Sequence, residues 1–244
     1  MTRLSPLPPE GFFHGVDAVF TDLDGTLTTG GRVRASTYEA LSALDHAGVA
    51  VIVVTGRPSG WAHAIMATWP VSAAVAENGG VWYWWRAGRL HKALALSPER
   101  LAPLRKQMFR QAARVVRQVK GTKLALDTPA TEVNLAIDWN EDVHVPEADA
   151  RRVETLLRAG GYQAVRSSVH VNFWPGRFDK LSACQKLVTR ALGGDAKNLT
   201  PYLFVGDSPN DEPMFRGFPR SVGVANVAGV WAELVHKPAW VTRE

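Results

Sequence analysis

Asp22-Leu23-Asp24-Gly25-Thr26 places two carboxylates one residue apart, directly after the apolar run Val16 to Thr21. Thr55-Gly56-Arg57 follows a second such run, Val49 to Val54, and Gly206-Asp207-Ser208-Pro209-Asn210-Asp211 follows a third, Tyr202 to Val205. Short apolar runs of this kind read as buried parallel strands, and parallel sheets bind ligands at the carboxyl edge of their strands. Two aspartate pairs and a hydroxyl then converge on one edge, joined by Lys180 at the start of a helix. The glycines let backbone N–H groups approach an anion. Aspartates near strand ends also serve as turn residues, so it is the convergence that points to chemistry. Four carboxylates packed together repel unless a cation neutralises them. An oxygen-only donor set without cysteine favours Mg²⁺.

The elements that must position these residues alternate strand and helix. Val16 to Thr21 is read as a strand, Val33 to Ala47 as a helix, Val49 to Val54 as a strand, Ser59 to Trp69 as a helix and Ser72 to Ala76 as a strand. The layout is a doubly wound, Rossmann-like α/β sheet. After Glu77-Asn78-Gly79-Gly80 the pattern changes to an aromatic hairpin over Val81 to Leu96, turning at Gly88. Pro98 to Lys120 then reads as an amphipathic helix with Leu101, Leu104, Met108, Ala112, Val115 and Val119 on one face. Glu132 to Trp139 and Ala164 to Trp174 read as strands with one wet face, separated by a helix over Pro146 to Ala159. Past Pro175 the first pattern resumes, with helices over Asp179 to Leu192, Asn210 to Phe215 and Val230 to Val235 and a strand over Ser221 to Ala225. The expected organisation is a catalytic core of residues 1–92 and 174–244, split by an inserted α+β cap of residues 93–173.

The set Asp22-x-Asp24-Gly25-Thr26, Thr55-Gly56-Arg57, Lys180 and Gly206-Asp207-x-x-Asn210-Asp211 resembles the haloacid dehalogenase-like superfamily of phosphatases and phosphomutases. The resemblance implies that Asp22 is a nucleophile forming an aspartyl-phosphate and that Asp24 is the general acid and base. It gives phosphate binding to Thr55, Gly56, Lys180 and the backbone around Leu23 and Asp24, and Mg²⁺ binding to Asp22, Asp207 and the carbonyl of Asp24. Asn210 and Asp211 stand behind these. Asp211 either meets the metal through water, orients Lys180, or is an N-cap-type residue ahead of Pro213. Dehalogenases lack an acid two residues after the nucleophile, so Asp24 favours a phosphate ester. An insert between Thr55 and Lys180 resembles the branch of sucrose-, trehalose- and mannosylphosphoglycerate phosphatases and phosphomannomutase, which implies a phosphorylated sugar or similar metabolite as substrate. Pro175 to Lys180 resembles phosphomannomutases, and Leu181 stands where many phosphatase relatives have Gly, so a hexose phosphomutase is the alternative.

For the substrate, the strand Ala164 to Trp174 is expected to show Arg166, Ser168, His170 and Asn172 on one face, opposite Val165, Val169, Val171 and Phe173. That polar row, with Arg57 and Asn78, is the candidate substrate surface; a solvated sheet face is the other reading. Trp82, Tyr83, Trp84 and Trp85 read as hairpin packing with one exposed ring rather than a stacking platform.

The net charge of +5 raises nucleic acid as a partner. Eight basic residues against Glu99 lie between Ser97 and Lys123, whereas the rest of the chain holds two more acids than bases. With Phe109 the single aromatic among these basic residues, the face of Lys106, Arg110, Arg114 and Arg117 reads as solvated surface. With 244 residues, 46% of them hydrophobic and 21% charged, the chain reads as an ordinary globular protein, which excludes extensive disorder. No apolar stretch is long enough to span a membrane. Met1 to Gly15, broken by Pro6, Pro8 and Pro9, reads as an arm rather than a signal peptide. A single cysteine, Cys184, points to a reducing, cytoplasmic setting.

Overall fold

The computed structural model describes residues 8, 10–167 and 169–243. The chain opens with β1 (Ala18–Thr21), a small hairpin of β2 (Thr28–Thr29) and β3 (Arg32–Val33), α1 (Ala35–His46), β4 (Ala50–Val54), α2 (Ser59–Thr68) and β5 (Ala73–Ala76). β6 (Val81–Arg86) and β7 (Arg89–Leu94) follow, joined through Ala87 and Gly88, both at positive φ as a two-residue hairpin turn requires. Next come α3 (Pro98–Gln118), β8 (Lys123–Leu124), β9 (Leu135–Asp138), α4 (Glu147–Ala159), β10 (Gln163–Arg166) and β11 (His170–Trp174). The chain ends through α5 (Lys180–Leu187), β12 (Tyr202–Gly206), α6 (Glu212–Gly217), β13 (Arg220–Gly223) and β14 (Trp240–Val241).

Eight strands form the large sheet in the order β14-β13-β12-β1-β4-β5-β6-β7. It is parallel from β14 to β5, with β6 and β7 antiparallel at one edge. The chain runs from β1 toward β4 and β5, then returns to place β12 on the other side of β1. The strand order therefore reverses between β1 and β12, where a doubly wound sheet opens a crevice at its carboxyl edge. Both sheet faces are covered. Phe20, Ile52 and Phe204 pack with Cys184, Leu187 and Phe215 on one side. Val51, Val53 and Ala74 pack with Leu41, Ala62 and Met66 on the other.

The second sheet, β10-β11-β9-β8, is antiparallel throughout. Its Leu135, Ile137, Val171 and Phe173 pack under Met108 and Val115 of α3 and Val153 and Leu157 of α4. Lys106, Arg110, Arg114 and Arg117 lie exposed on the far side of α3, as expected of an amphipathic helix. In the aromatic run, Trp82, Tyr83 and Trp84 are buried and only Trp85 is exposed, so the run packs the hairpin.

Several expected elements are corrected. Ala164 to Trp174 is a hairpin, not one strand: the Ser167 N–H donates to the His170 carbonyl, and the Ser167 hydroxyl accepts from the N–H groups of Val169 and His170. Ser168 lies outside the described residues, as does most of the expected N-terminal arm. β9 starts at Leu135 rather than Glu132, because the N–H groups of Glu132, Val133 and Asn134 go to a buried carboxylate. The last helical segment, a 3₁₀ turn, is Ala225–Val230, ahead of the expected Val230 to Val235. The β2–β3 hairpin and β14 have no counterpart in the sequence reading.

Candidate active site

β1 and β12 end side by side, and the loops that follow bring Asp22 and Asp207 together with Asp211. Asp22 and Asp211 are buried, and the buried Lys180 at the start of α5 bridges them, its Nζ 2.7 Å from Asp22 Oδ1 and 2.8 Å from Asp211 Oδ1. Asp179 caps that helix, accepting from the Ser182 N–H, which fixes where the ammonium enters. The second oxygen of Asp211 accepts from the N–H groups of Asp207 and Ser208. Asp211 therefore orients both Lys180 and the loop carrying Asp207. Burial, then the Asp211 charge, push Asp22 well above the usual carboxylate range against the pull of Lys180. Burial and Asp211 likewise push Asp207 up to about 6. Lys180 is held upward: burial opposes its charge, but Asp211 and Asp22 outweigh it.

One lysine thus faces three carboxylates, with an oxygen from each of Asp22, Asp207 and Asp211 within 4.8 Å of the others. Two carboxyls raised by burial and by the charge of Asp211 mark a deficit of positive charge. An all-oxygen donor set of this kind fits a hard divalent cation such as Mg²⁺. Gly25, at φ +83, lies where any side chain would collide with the Asp207 carboxylate. Asn226 holds that carboxylate at 2.8 Å and the Gly25 carbonyl at 3.0 Å.

Asp24 turns away from this cluster. Its two oxygens accept from Arg57 Nε and Nη2, both at 2.9 Å, and its side chain is 43% exposed. Thr55, delivered by β4, is buried and its hydroxyl accepts from the Arg57 N–H at 3.0 Å. Next to Gly56, Asn78 is buried at φ +54; its Oδ1 accepts from Asn210 at 3.3 Å and its Nδ2 has no partner. Asp22, Lys180, Asp207, Asp211, Asp24, Thr55, Gly56, Arg57, Asn78 and Asn210 thus share one sheet edge, with Leu23 buried beneath.

Residues 19–129 match the haloacid dehalogenase-like hydrolase family. The chain is also similar to a phosphoglycolate phosphatase of Methanothrix thermoacetophila, 26% identical over 213 residues that cover 86% of this chain and 85% of the relative. These two matches support a phosphatase-type hydrolase. Among solved structures, a Thermoplasma acidophilum protein shares its fold at a TM-score of 0.70 and 18% identity, covering 93% of this chain and 92% of that one. So does a subclass IIB sugar phosphatase, at a TM-score of 0.64 and 16% identity, covering 93% of each chain. These structural likenesses show the fold.

The second sheet of this hydrolase turns one face to the large sheet. Val133, Val165 and Trp174 pack with Val81, Tyr83 and Leu101. The pairing puts His170 beside Asp138 and Asn172 beside Ala136 and Val165 on that face. Asn134 Nδ2 donates to Asn172 Oδ1 at 3.2 Å. Arg166 is not among them. It pairs with Val171, whose side chain faces the helices, and its guanidinium lies 2.9 Å from Glu147 at the start of α4. The intervening turn reverses the alternation that the sequence implied. His170 Nε2 lies 2.9 Å from Glu141, and Glu141 lies 3.8 Å from Arg57, so charged groups connect the second sheet to Asp24.

Glu77, fully buried at φ +53, supplies the carboxylate that ends the second sheet early. It accepts from the N–H groups of Ser59 (2.9 Å), Glu132 (2.8 Å), Val133 (2.6 Å) and Asn134 (2.8 Å). It joins the start of α2 to the strand entering the second sheet. Glu77, Glu141 and Asn226 were not candidates from sequence, since each is a single polar residue with no spacing pattern.

Proposed function

We propose that this hydrolase is a Mg²⁺-dependent phosphatase of a phosphorylated sugar or similar small metabolite, acting through an aspartyl-phosphate on Asp22. The observation that carries the reading is the division of labour between two carboxylates two residues apart. Asp22 is buried against Lys180 beside two more aspartates, while Asp24 stands clear of them at the solvent side.

Lys180 occupies Asp22 Oδ1, leaving Oδ2 for phosphorus. As the Asp22 O–P bond forms, the bond from phosphorus to the ester oxygen breaks, and Asp24 gives its proton to the departing alcohol. Asp24, now a carboxylate, takes a proton from water, whose oxygen displaces Asp22 and releases phosphate. Lys180 neutralises charge on the phosphoryl oxygens, and Thr55 and the unpartnered Asn78 Nδ2 are donors for them. Asp22, Asp207 and the Asp24 carbonyl would hold Mg²⁺, with Asp211 behind; when bound, it supplies the positive charge the cluster lacks.

Residues 93–173 serve in this reading as a cap that closes over the core, with His170 and Asn172 facing the substrate. The phosphoglycolate phosphatase relative and the sugar phosphatase neighbour support small phosphate esters. The test is phosphate release from a panel of sugar phosphates and phosphoglycolate with and without Mg²⁺. Mg²⁺-dependent release that Asp22→Asn abolishes supports the reading; no release from any ester removes it.

A further inference from the structure

Beside Asp24 and Arg57 the structure holds a cavity of about 520 Å³, the size of a small-molecule site. Trp61 and Ile65 of α2 line it together with Val33 of the β2–β3 hairpin. Leu23 lines it, and Asp24 and Arg57 stand at its polar end. The Arg57 guanidinium lies over the Trp61 ring, 5.0 Å from its centre, which ties the indole to the group that holds Asp24. Trp61 lines the cavity and is 45% exposed, so part of its ring is open to a ligand.

The reaction chemistry says what such a cavity is for. An acid that protonates the departing oxygen must touch it, so the carbon skeleton on that oxygen begins at Asp24. The cavity also begins there. A hydroxyl-rich skeleton would lose its water against Leu23, Val33, Trp61 and Ile65 and gain few partners in return. A planar apolar group would fill the space, stack on Trp61 and lose nothing.

We propose that this cavity receives the alcohol part of the substrate, and that this part carries an aromatic or other planar apolar group. The proposal rests on the phosphatase reading above and narrows its substrate class. The polar cap residues His170 and Asn172 are then left for whatever hydroxyls the rest of the molecule carries.

The test compares 2-phenylethyl phosphate with ethyl phosphate, whose alcohols are of similar basicity, and glucose 6-phosphate as a sugar ester, all with Mg²⁺. Burial of a phenyl ring predicts a KM at least about tenfold lower for the phenylethyl ester than for the ethyl ester. Trp61→Ala should erase most of that difference. Ala64→Phe, at an exposed position on the same helix face, should raise KM for the phenylethyl ester by filling the cavity. Equal KM values for the two alkyl esters, with glucose 6-phosphate still hydrolysed, would overturn the substrate class and leave the phosphatase reading standing. An advantage untouched by both variants would also overturn it. No phosphate from any ester would overturn both.

Discussion

Arg57 grips both oxygens of Asp24 at 2.9 Å while standing 3.8 Å from Glu141, a residue of the turn after β9. Burial works against the guanidinium's charge, but the bonds to Asp24 outweigh it and hold Arg57 more firmly protonated. The side chain proposed to move a proton is thus positioned by a group that a second carboxylate, on the other sheet, can engage. The expected order of damage follows. Asp24→Asn removes the acid and base and lowers kcat by about 10²- to 10⁴-fold. Arg57→Lys keeps the charge but loses the two-pronged geometry, so kcat falls by less. Glu141→Gln, one step further away, costs least. Steady-state kinetics of the three variants check this; an Arg57→Lys variant as impaired as Asp24→Asn would give Arg57 a larger part than positioning.

Lys180 and its carboxylates make a second ordered pair of variants. Asp22→Asn leaves Lys180 paired with Asp211, so the protein should stay folded with turnover abolished. Lys180→Ala leaves buried Asp22 and Asp211 facing each other without a cation, which costs about 3–5 kcal/mol. Urea denaturation in EDTA measures both, and Lys180→Ala should be much the less stable. Equal stability would mean that Lys180 is not what balances the cluster.

What the sequence makes legible is chemistry that repeats at strand ends. Asp22, Asp24, Thr55, Lys180 and Asp207 each follow an apolar run or open a helix, and the doubly wound topology leaves their loops one place to meet. What it hides depends on single residues without a pattern. The chain reverses between Arg166 and His170 with no Gly, Pro or Asn in the sequence to mark it, and that reversal moves Arg166 to the helix-packed face. Glu77 reads as an ordinary acid, because its role depends on backbone N–H groups more than fifty residues away.

Asp22 and Asp207 predict a pH dependence of stability in the absence of metal. Both carboxyls are raised in the folded chain, Asp207 to about 6, against an ordinary value of 3.8. Across that interval the folded state binds more protons than the unfolded one, so stability falls as pH rises from about 4 through 6. A divalent cation reverses the effect where the carboxyls are ionised. Thermal melts should show Mg²⁺ raising Tm clearly at pH 7.5 and little at pH 4.5. A Mg²⁺ effect of equal size at both values would show that these carboxylates are not its site.

Glu77 makes the sharpest stability prediction. Its carboxylate is the acceptor for four N–H groups, three of them on Glu132, Val133 and Asn134. An amide in its place keeps the volume but turns an NH₂ toward N–H donors. Each donor left buried and unpaired costs about 1–3 kcal/mol, so Glu77→Gln should destabilise by several kcal/mol. Hydrogen exchange distinguishes a local role from a diffuse one: the amides of Val133 and Asn134 should lose protection first, while those of β1 and β4 change only with global stability. Uniform loss of protection would mean that Glu77 supports the whole core rather than the joint between the two sheets.

Cys184 offers a readout for all of these variants. It is fully buried on α5, and burial raises its thiol far above the usual range, so neither the thiolate nor access is available in the folded state. Alkylation by iodoacetamide at pH 8 should therefore proceed only through opening of the fold. The rate should be very slow in the parent protein, increase in Lys180→Ala and Glu77→Gln in the order of their lost stability, and stay near the parent rate in Glu141→Gln. Rapid labelling of the unmodified protein would show that α5 opens independently of the sheet it covers, which would place Lys180 on a mobile element rather than a fixed one.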